Sequence, residues 1–281
     1  MYSHCWSCNA RRWWSIALCV VMVTHGNATS TQSETGFLDR AVTVDGSTYR
    51  YQVYVPPAWS RATAWPVVLA LHGAGGYGSD GRKQTTEGLA PAIRRHPERF
   101  PALAVFPQSP ANGTPGWQAI GGRIALAALA QTMAEFHGDP LQVTLTGLSI
   151  GGNGAWYLAY HHPEQFAGLL VVCGFVAERM GTTAPILYLS LVSGVKDPSA
   201  AVAQRLAHIP TWIVHGDADR SVPVEHSRRM AAELRALNAP VHYTELAGVD
   251  HNAWDYAYSS SELVSWLLRQ HLTNASNKPV S

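Results

Sequence analysis

A chain of 281 residues has room for one large α/β domain or two small ones, and with 47% hydrophobic and 14% charged residues it can build a sizeable core. That balance excludes wholesale disorder. A formal net charge of +1, without clustered Lys and Arg interleaved with aromatics, argues against a nucleic-acid partner.

In chain order, Arg11-Arg12 precede an uncharged, mostly apolar run over residues 13–23, and a small polar stretch follows at 25–33. Basic, then hydrophobic, then small and polar is the order of a secretory signal. The apolar run falls short of the roughly 20 residues that span a bilayer as a helix, so no stable membrane insertion of the mature domain is expected. Residues 1–28 therefore read as a signal peptide cleaved after Ala28, which makes the protein secreted or periplasmic; an uncleaved N-terminal tether is the alternative. Residues 29–40 read as a short extension, 41–272 as the folded domain and 273–281 as a tail. Three of the four cysteines, Cys5, Cys8 and Cys19, fall in the signal, so Cys173 remains alone and no internal disulfide is expected in the mature domain. Cys173 ends an apolar run and reads as a buried small hydrophobe.

Residues 41–55 alternate polar and apolar about Asp45-Gly46, a hairpin signal. An unbroken apolar run at 66–71 has the length of a strand buried on both faces, and it stops at the glycine-rich turn 72–76. A helix is expected near 83–96, a short strand at 103–106, a loop at 108–120 and an Ala-rich helix at 121–136. Strands follow at 142–146, 166–172, 211–215 and 241–246, separated or followed by helices at 152–161, 224–237 and 261–271. Strands alternating with helices predict an α/β fold of one domain, a mostly parallel central sheet covered by helices on both faces. Only residues 174–208 lack a clear place, and a small cap or an extra helix over the site are the readings of them.

Gly147-Leu148-Ser149-Ile150-Gly151 is a G-x-S-x-G sequence between a predicted strand and a predicted helix. Chemistry at a serine hydroxyl needs that context: a tight turn lifts Oγ to the sheet edge beside a helix N-terminus, and the flanking glycines let strand and helix approach. A hydroxyl is a poor nucleophile unless a base takes its proton and a carboxylate orients the base, in the chain order Ser, Asp or Glu, His. Asp219 follows the strand at 211–215 and suits the acid, with Asp217 as competitor better placed to cap the turn. His251 lies in the loop between the last strand and the last helix and suits the base; His161, His162, His215 and His242 sit in elements where structural roles are commoner. The glycine turn His72-Gly73-Ala74-Gly75 suits an oxyanion hole made by the backbone N–H of Ala74 and of Ile150, with Gly75 the runner-up for the first donor. Trp117 and Trp254 are candidate pocket walls, and core packing serves equally well for each. No Gly-Lys-Ser/Thr follows the glycines and no His–carboxylate cluster has ligand spacing, so neither a nucleotide nor a metal or other cofactor is implied.

Taken together, residues 71–80 (Leu-His-Gly-Ala-Gly-Gly-Tyr-Gly-Ser-Asp), 104–108, 147–156, 162–167, 215–223 and 250–255 resemble ordered blocks of the α/β-hydrolase superfamily. The resemblance is to its phospholipase/carboxylesterase–dienelactone hydrolase side, and most to secreted esterases often labelled predicted peptidases. It implies attack by Ser149 on a small-molecule or polysaccharide-linked carboxylic ester, through an acyl-enzyme, with His251 as acid and base. Ser149 departs from the cysteine nucleophile of the dienelactone hydrolases themselves, which turns the expectation away from dienelactones. Two other readings compete: a serine peptidase of prolyl-oligopeptidase type on the same three residues, and a binding protein on an inactive hydrolase scaffold. Nothing in the chain resembles the propeller that restricts access in the first.

Overall fold

The computed structural model describes residues 34–111, 116–176 and 195–272, with the backbone of two short strands between 177 and 194. The expectations for residues 1–28 and 273–281 lie outside the described residues. All the described residues fall in one compact unit, Ser33–Ser281.

Strands β1 (Gly36–Val44) and β2 (Ser47–Val55) form the expected hairpin, closed by Asp45 and Gly46 at φ 49° and 76°. Positive φ at both central positions matches the turn to the natural twist of the paired strands. Because β1 starts at Gly36, the sheet begins within the stretch read as an extension. β3 (Trp65–Leu71), β4 (Leu103–Pro107), β5 (Gly138–Leu148) and β6 (Gly168–Val172) follow. A two-residue pair comes next, β7 (Arg179–Met180) against β8 (Leu187–Tyr188), and then β9 (Thr211–Gly216) and β10 (Val241–Leu246). The main sheet has eight strands in the order β1-β2-β4-β3-β5-β6-β9-β10. Only β1–β2 and β2–β4 pair antiparallel within it; every other neighbour is parallel. This is the mostly parallel α/β-hydrolase sheet.

The apolar runs are continuous because the inner strands bury both faces. Along β3, Val67, Leu69 and Leu71 enter one core while Val68 and Ala70 enter another. β6 divides the same way, Leu169 and Val171 on one side, Leu170 and Val172 on the other. Helices α2 (Ile120–Phe136), α3 (Ile150–His161), α4 (Pro198–Leu206) and α5 (Glu225–Ala236) cover the first face. Helices α1 (Leu89–Arg95), α6 (Trp254–Ser259) and α7 (Ser261–Leu268) cover the second.

One expected element is corrected. The helix foreseen over 83–96 is a single 3-10 turn at Lys83–Thr85 followed by α1, because Gly88, at φ 71°, interrupts it. Of residues 174–208, read as a small cap or an extra helix, the described part includes the helix α4. Asp197 caps it through Ala200 N–H, and its Val202, Ala203 and Leu206 are buried in the first core, so it belongs to the outer layer of the sheet.

Candidate active site

Ser149 stands alone between the end of β5 and the start of α3, at φ 56° and ψ −122°. A non-glycine residue there carries backbone strain of roughly 1–3 kcal/mol, which surrounding structure must hold. The holding groups are visible: Ser149 N–H donates to Val172 O at 2.9 Å, and Asn153 N–H donates to Ser149 O at 3.1 Å. Approach of the chain segments is closer than any side chain would permit. A Cβ on Gly147 would lie 2.0 Å from Gly151 O, and one on Gly151 would lie 2.2 Å from Leu71 O. Glycine at both flanks is thus a requirement of the turn, not a loose motif.

His251 and Asp219 arrive from loops at the carboxyl ends of β10 and β9. The Oγ of Ser149 lies 2.9 Å from His251 Nε2, and His251 Nδ1 lies 2.7 Å from Asp219 Oδ2. The imidazole is 22% exposed whereas the carboxylate is fully buried, so the line opens to solvent at its serine end. Asp219 Oδ1 accepts N–H bonds from Ser221 and Val222, both at 2.8 Å. A Cβ on Gly216 would meet Val249 O at 2.1 Å, so the two loops are pressed together where they leave the sheet. Ser149, Asp219 and His251, 102 and 32 positions apart along the chain in their two contacts, are thereby brought into one hydrogen-bonded line.

The turn after β3 begins a 3-10 turn at Ala74–Gly76. Gly76 N–H bonds Gly73 O and Tyr77 N–H bonds Ala74 O, so the amides of Ala74 and Gly75 precede the first bond of the turn. Ile150 opens α3, where its amide likewise belongs to the unbonded first turn of a helix. Two side chains fix the glycine turn. His72 is buried, accepts Ser109 N–H on Nε2 at 3.0 Å and directs Nδ1 at Gly73 O at 2.6 Å; burial pulls its pKa down to about 4. Gln108 donates to Gly76 O and Asp80 and accepts Gly81 N–H at 2.6 Å. Beside the turn, burial raises the Glu87 carboxyl above its ordinary value, partly offset by the Gly73 amide and by His251. A Cβ on Gly75 would stand 3.2 Å from that carboxylate.

Other expected residues fall as follows. Trp117 is not a pocket wall: it is fully buried, its ring 4.8 Å from His72 and its indole N–H on His72 O, with Gly154 too close to carry a Cβ. Trp254 is half-buried with its ring edge-on to His251 at 5.3 Å. Asp217 accepts Gly248 N–H at 2.6 Å and ties the β9 loop to the β10 loop. Asp250 turns away from the imidazole to pair with Arg220. His242 is exposed on β10 against Trp212, and His161 packs on Tyr157. Cys173 is buried at φ 40°, its thiol on His251 O at 3.4 Å and its pKa pushed up by burial. Among the described residues one group has metal-ligand proximity, Cys173 with Asp219 and His251, but its imidazole and carboxylate already bond each other and its thiol holds its proton. Residues 112–115 lie outside the described residues.

Sequence reasoning set His215 aside as structural. It is fully buried at the end of β9 with Nε2 3.1 Å from Asp219 Oδ2, in contact with the line. The signal available was its place in the block His215-Gly216-Asp217-Ala218-Asp219, four positions before the acid.

The chain is similar to known proteins. A model of the prolyl oligopeptidase family matches residues 125–271, a stretch that carries Ser149, Asp219 and His251. A protein of Arthroderma benhamiae named "uncharacterized secreted protein" is 26% identical over 136 residues, 46% of this chain and 14% of its own length. Among solved structures, a thermostable esterase is 25% identical with a TM-score of 0.67 over 84% of this chain and 63% of its own. A ferulic acid esterase from Anaeromyces mucronatus, in complex with ferulic acid, is 15% identical with a TM-score of 0.59 over 86% and 93%, a likeness of fold alone. The chain thus spans less than two thirds of the secreted relative and of the thermostable esterase. No helix among the described residues is long and apolar enough to cross a membrane.

Proposed function

The chain belongs to the prolyl oligopeptidase family, and from that premise we propose that it is a serine hydrolase of carboxylic esters, with Ser149 as nucleophile, His251 as general base and acid, and Asp219 as the orienting carboxylate. The observation that carries the proposal is the unbroken line from Ser149 Oγ through His251 to Asp219, at 2.9 and 2.7 Å. In the first half-reaction His251 Nε2 takes the hydroxyl proton as Oγ attacks the ester carbonyl, then returns it to the departing alcohol. Water, deprotonated by the same nitrogen, cleaves the acyl-enzyme in the second. The amides of Ala74 and Ile150 receive the oxyanion in both, each such donor worth about 3 kcal/mol of transition-state stabilisation. Trp254, edge-on to the imidazole, is the candidate pocket wall.

An ester preference is supported by the esterase likenesses, and feruloyl esters are the first acyl class to try. Export, as a secreted or periplasmic enzyme, is supported by the signal-like N-terminus and by the secreted relative. The test is hydrolysis of p-nitrophenyl and feruloyl esters against a series of peptide anilides. Ester turnover is expected, with at least a 10³-fold fall in kcat for Ser149→Ala and loss of fluorophosphonate labelling. Amide cleavage at comparable efficiency would replace the ester reading with a peptidase one. Absence of labelling in the wild-type protein would leave only a binding role on the scaffold.

A further inference from the structure

Behind Asp219 lies a second histidine and, behind that, a hydroxyl. His215 Nε2 faces two oxygens that can only accept, Asp219 Oδ2 at 3.1 Å and Val222 O at 3.0 Å, so Nε2 must carry a hydrogen. His215 Nδ1 lies 2.7 Å from the Oγ of Ser227, a residue of α5 only 2% exposed. Burial holds the His215 pKa below its ordinary value despite the nearby carboxylate, so the ring is neutral and Nδ1 bears a lone pair. The Ser227 hydroxyl is then the donor, which fixes the tautomer.

The consequence falls on Asp219. Its Oδ1 takes Ser221 N–H and Val222 N–H, while its Oδ2 takes His251 Nδ1–H and His215 Nε2–H. Four donors fill the four acceptor directions of one buried carboxylate, leaving it no free rotation. We infer, on the footing of the proposed ester-hydrolase reading, that Ser227 and His215 form a positioning relay, in which the Ser227 hydroxyl locks His215 in the Nε2–H tautomer so that His215 pins the carboxylate that orients His251. Without that hydroxyl His215 can place its proton on Nδ1. Its Nε2 lone pair would then oppose Asp219 Oδ2 and Val222 O, and the carboxylate would turn to escape, taking the base out of line with Ser149. Neither residue touches the reacting atoms; both act through Asp219.

The experiment compares Ser227→Ala with Ser227→Thr in the full chain, reading steady-state kinetics on an aryl ester, the melting temperature, and the downfield proton resonance of His251 Nδ1–H in the resting protein. For Ser227→Ala, kcat should fall about tenfold with KM within twofold of wild type and little change in melting temperature, and the resonance should move or broaden. Ser227→Thr, which keeps the hydroxyl, should restore both. Wild-type kcat and an unmoved resonance in Ser227→Ala would overturn the relay. So would equal loss in both variants accompanied by a large fall in melting temperature, which would make Ser227 a packing residue only. Fluorophosphonate labelling of wild-type Ser149 separates the two readings: if it fails, the ester-hydrolase assignment fails, while the resonance in the resting protein still decides the relay.

Discussion

His72 shows how one side chain couples the glycine turn to the pH of the medium. Its ring bridges Ser109 N–H and Gly73 O, and Gly76 lies so close that a Cβ there would sit 2.4 Å from Cγ. A second proton on that ring would have to replace the Ser109 N–H bond at a buried position. Burial pulls the pKa from 6.5 to about 4, a gap corresponding to roughly 3 kcal/mol. A histidine whose pKa is depressed in the fold contributes stability that is present above its unfolded value and lost as pH falls through the folded one. The window is therefore about pH 6.5 down to 4, and His215, also depressed by burial, acts in the same direction. Denaturant midpoints measured across that window should fall steeply for the wild type and less steeply for His72→Gln, which is less stable at neutral pH but has no ring to protonate. An equal slope in both proteins would remove His72 from the account.

At the scale of elements, the strand–serine–helix turn depends on backbone contact that only glycine allows. Gly151→Ala forces a Cβ toward Leu71 O, a backbone atom of β3 that cannot swing aside. The expected cost is about 3 kcal/mol, at the upper end for overpacking, and a loss of near 10 °C in melting temperature for a domain of this size. Gly46→Ala offers the contrast: nothing lies within 4 Å, only the left-handed backbone resists, and the cost should stay near 1 kcal/mol. If the two variants melt together, close approach is not what selects glycine at 151. The same distinction explains what the sequence discloses. Strands such as β3 and β6 are legible because apolar runs and β-branched residues bury on both faces, and the order Ser149, Asp219, His251 is legible because strand ends alternate with loops. Trp117 misleads since a tryptophan in a loop has no periodic neighbours to reveal whether it turns inward. Ser227 is silent for a related reason: its partner His215 lies twelve positions earlier, on a strand, and only the packing of α5 against β9 joins them. The helix expected at 83–96 fails on Gly88, whose positive φ no pattern of hydrophobicity announces.

Across the whole molecule, the sheet is a wall shared by two cores, and the proposed chemistry sits on the rim of that wall. β5 occupies its middle, paired with β3 on one side and β6 on the other, and it delivers Ser149 directly. Leu145 on this strand is fully buried in the core beneath α2 to α5, while Leu148 points into the core beneath α1, α6 and α7. Neither face can lose its helices without exposing strands that the other face also needs, so unfolding should be a single event. Leu145→Ala leaves a cavity at the centre of one core and should cost about 2–5 kcal/mol. Tryptophans report on both sides, Trp117 and Trp156 in the first core and Trp212 in the second. Their fluorescence and the far-ultraviolet circular dichroism should therefore shift to one common, lower midpoint. The proposed hydrolase activity should be lost at that same midpoint, because Asp219 and His251 hang from β9 and β10, strands of the same sheet. Separate transitions for the two probes would mean that the faces fold independently, and that the rim can lose its geometry while half of the molecule stays intact.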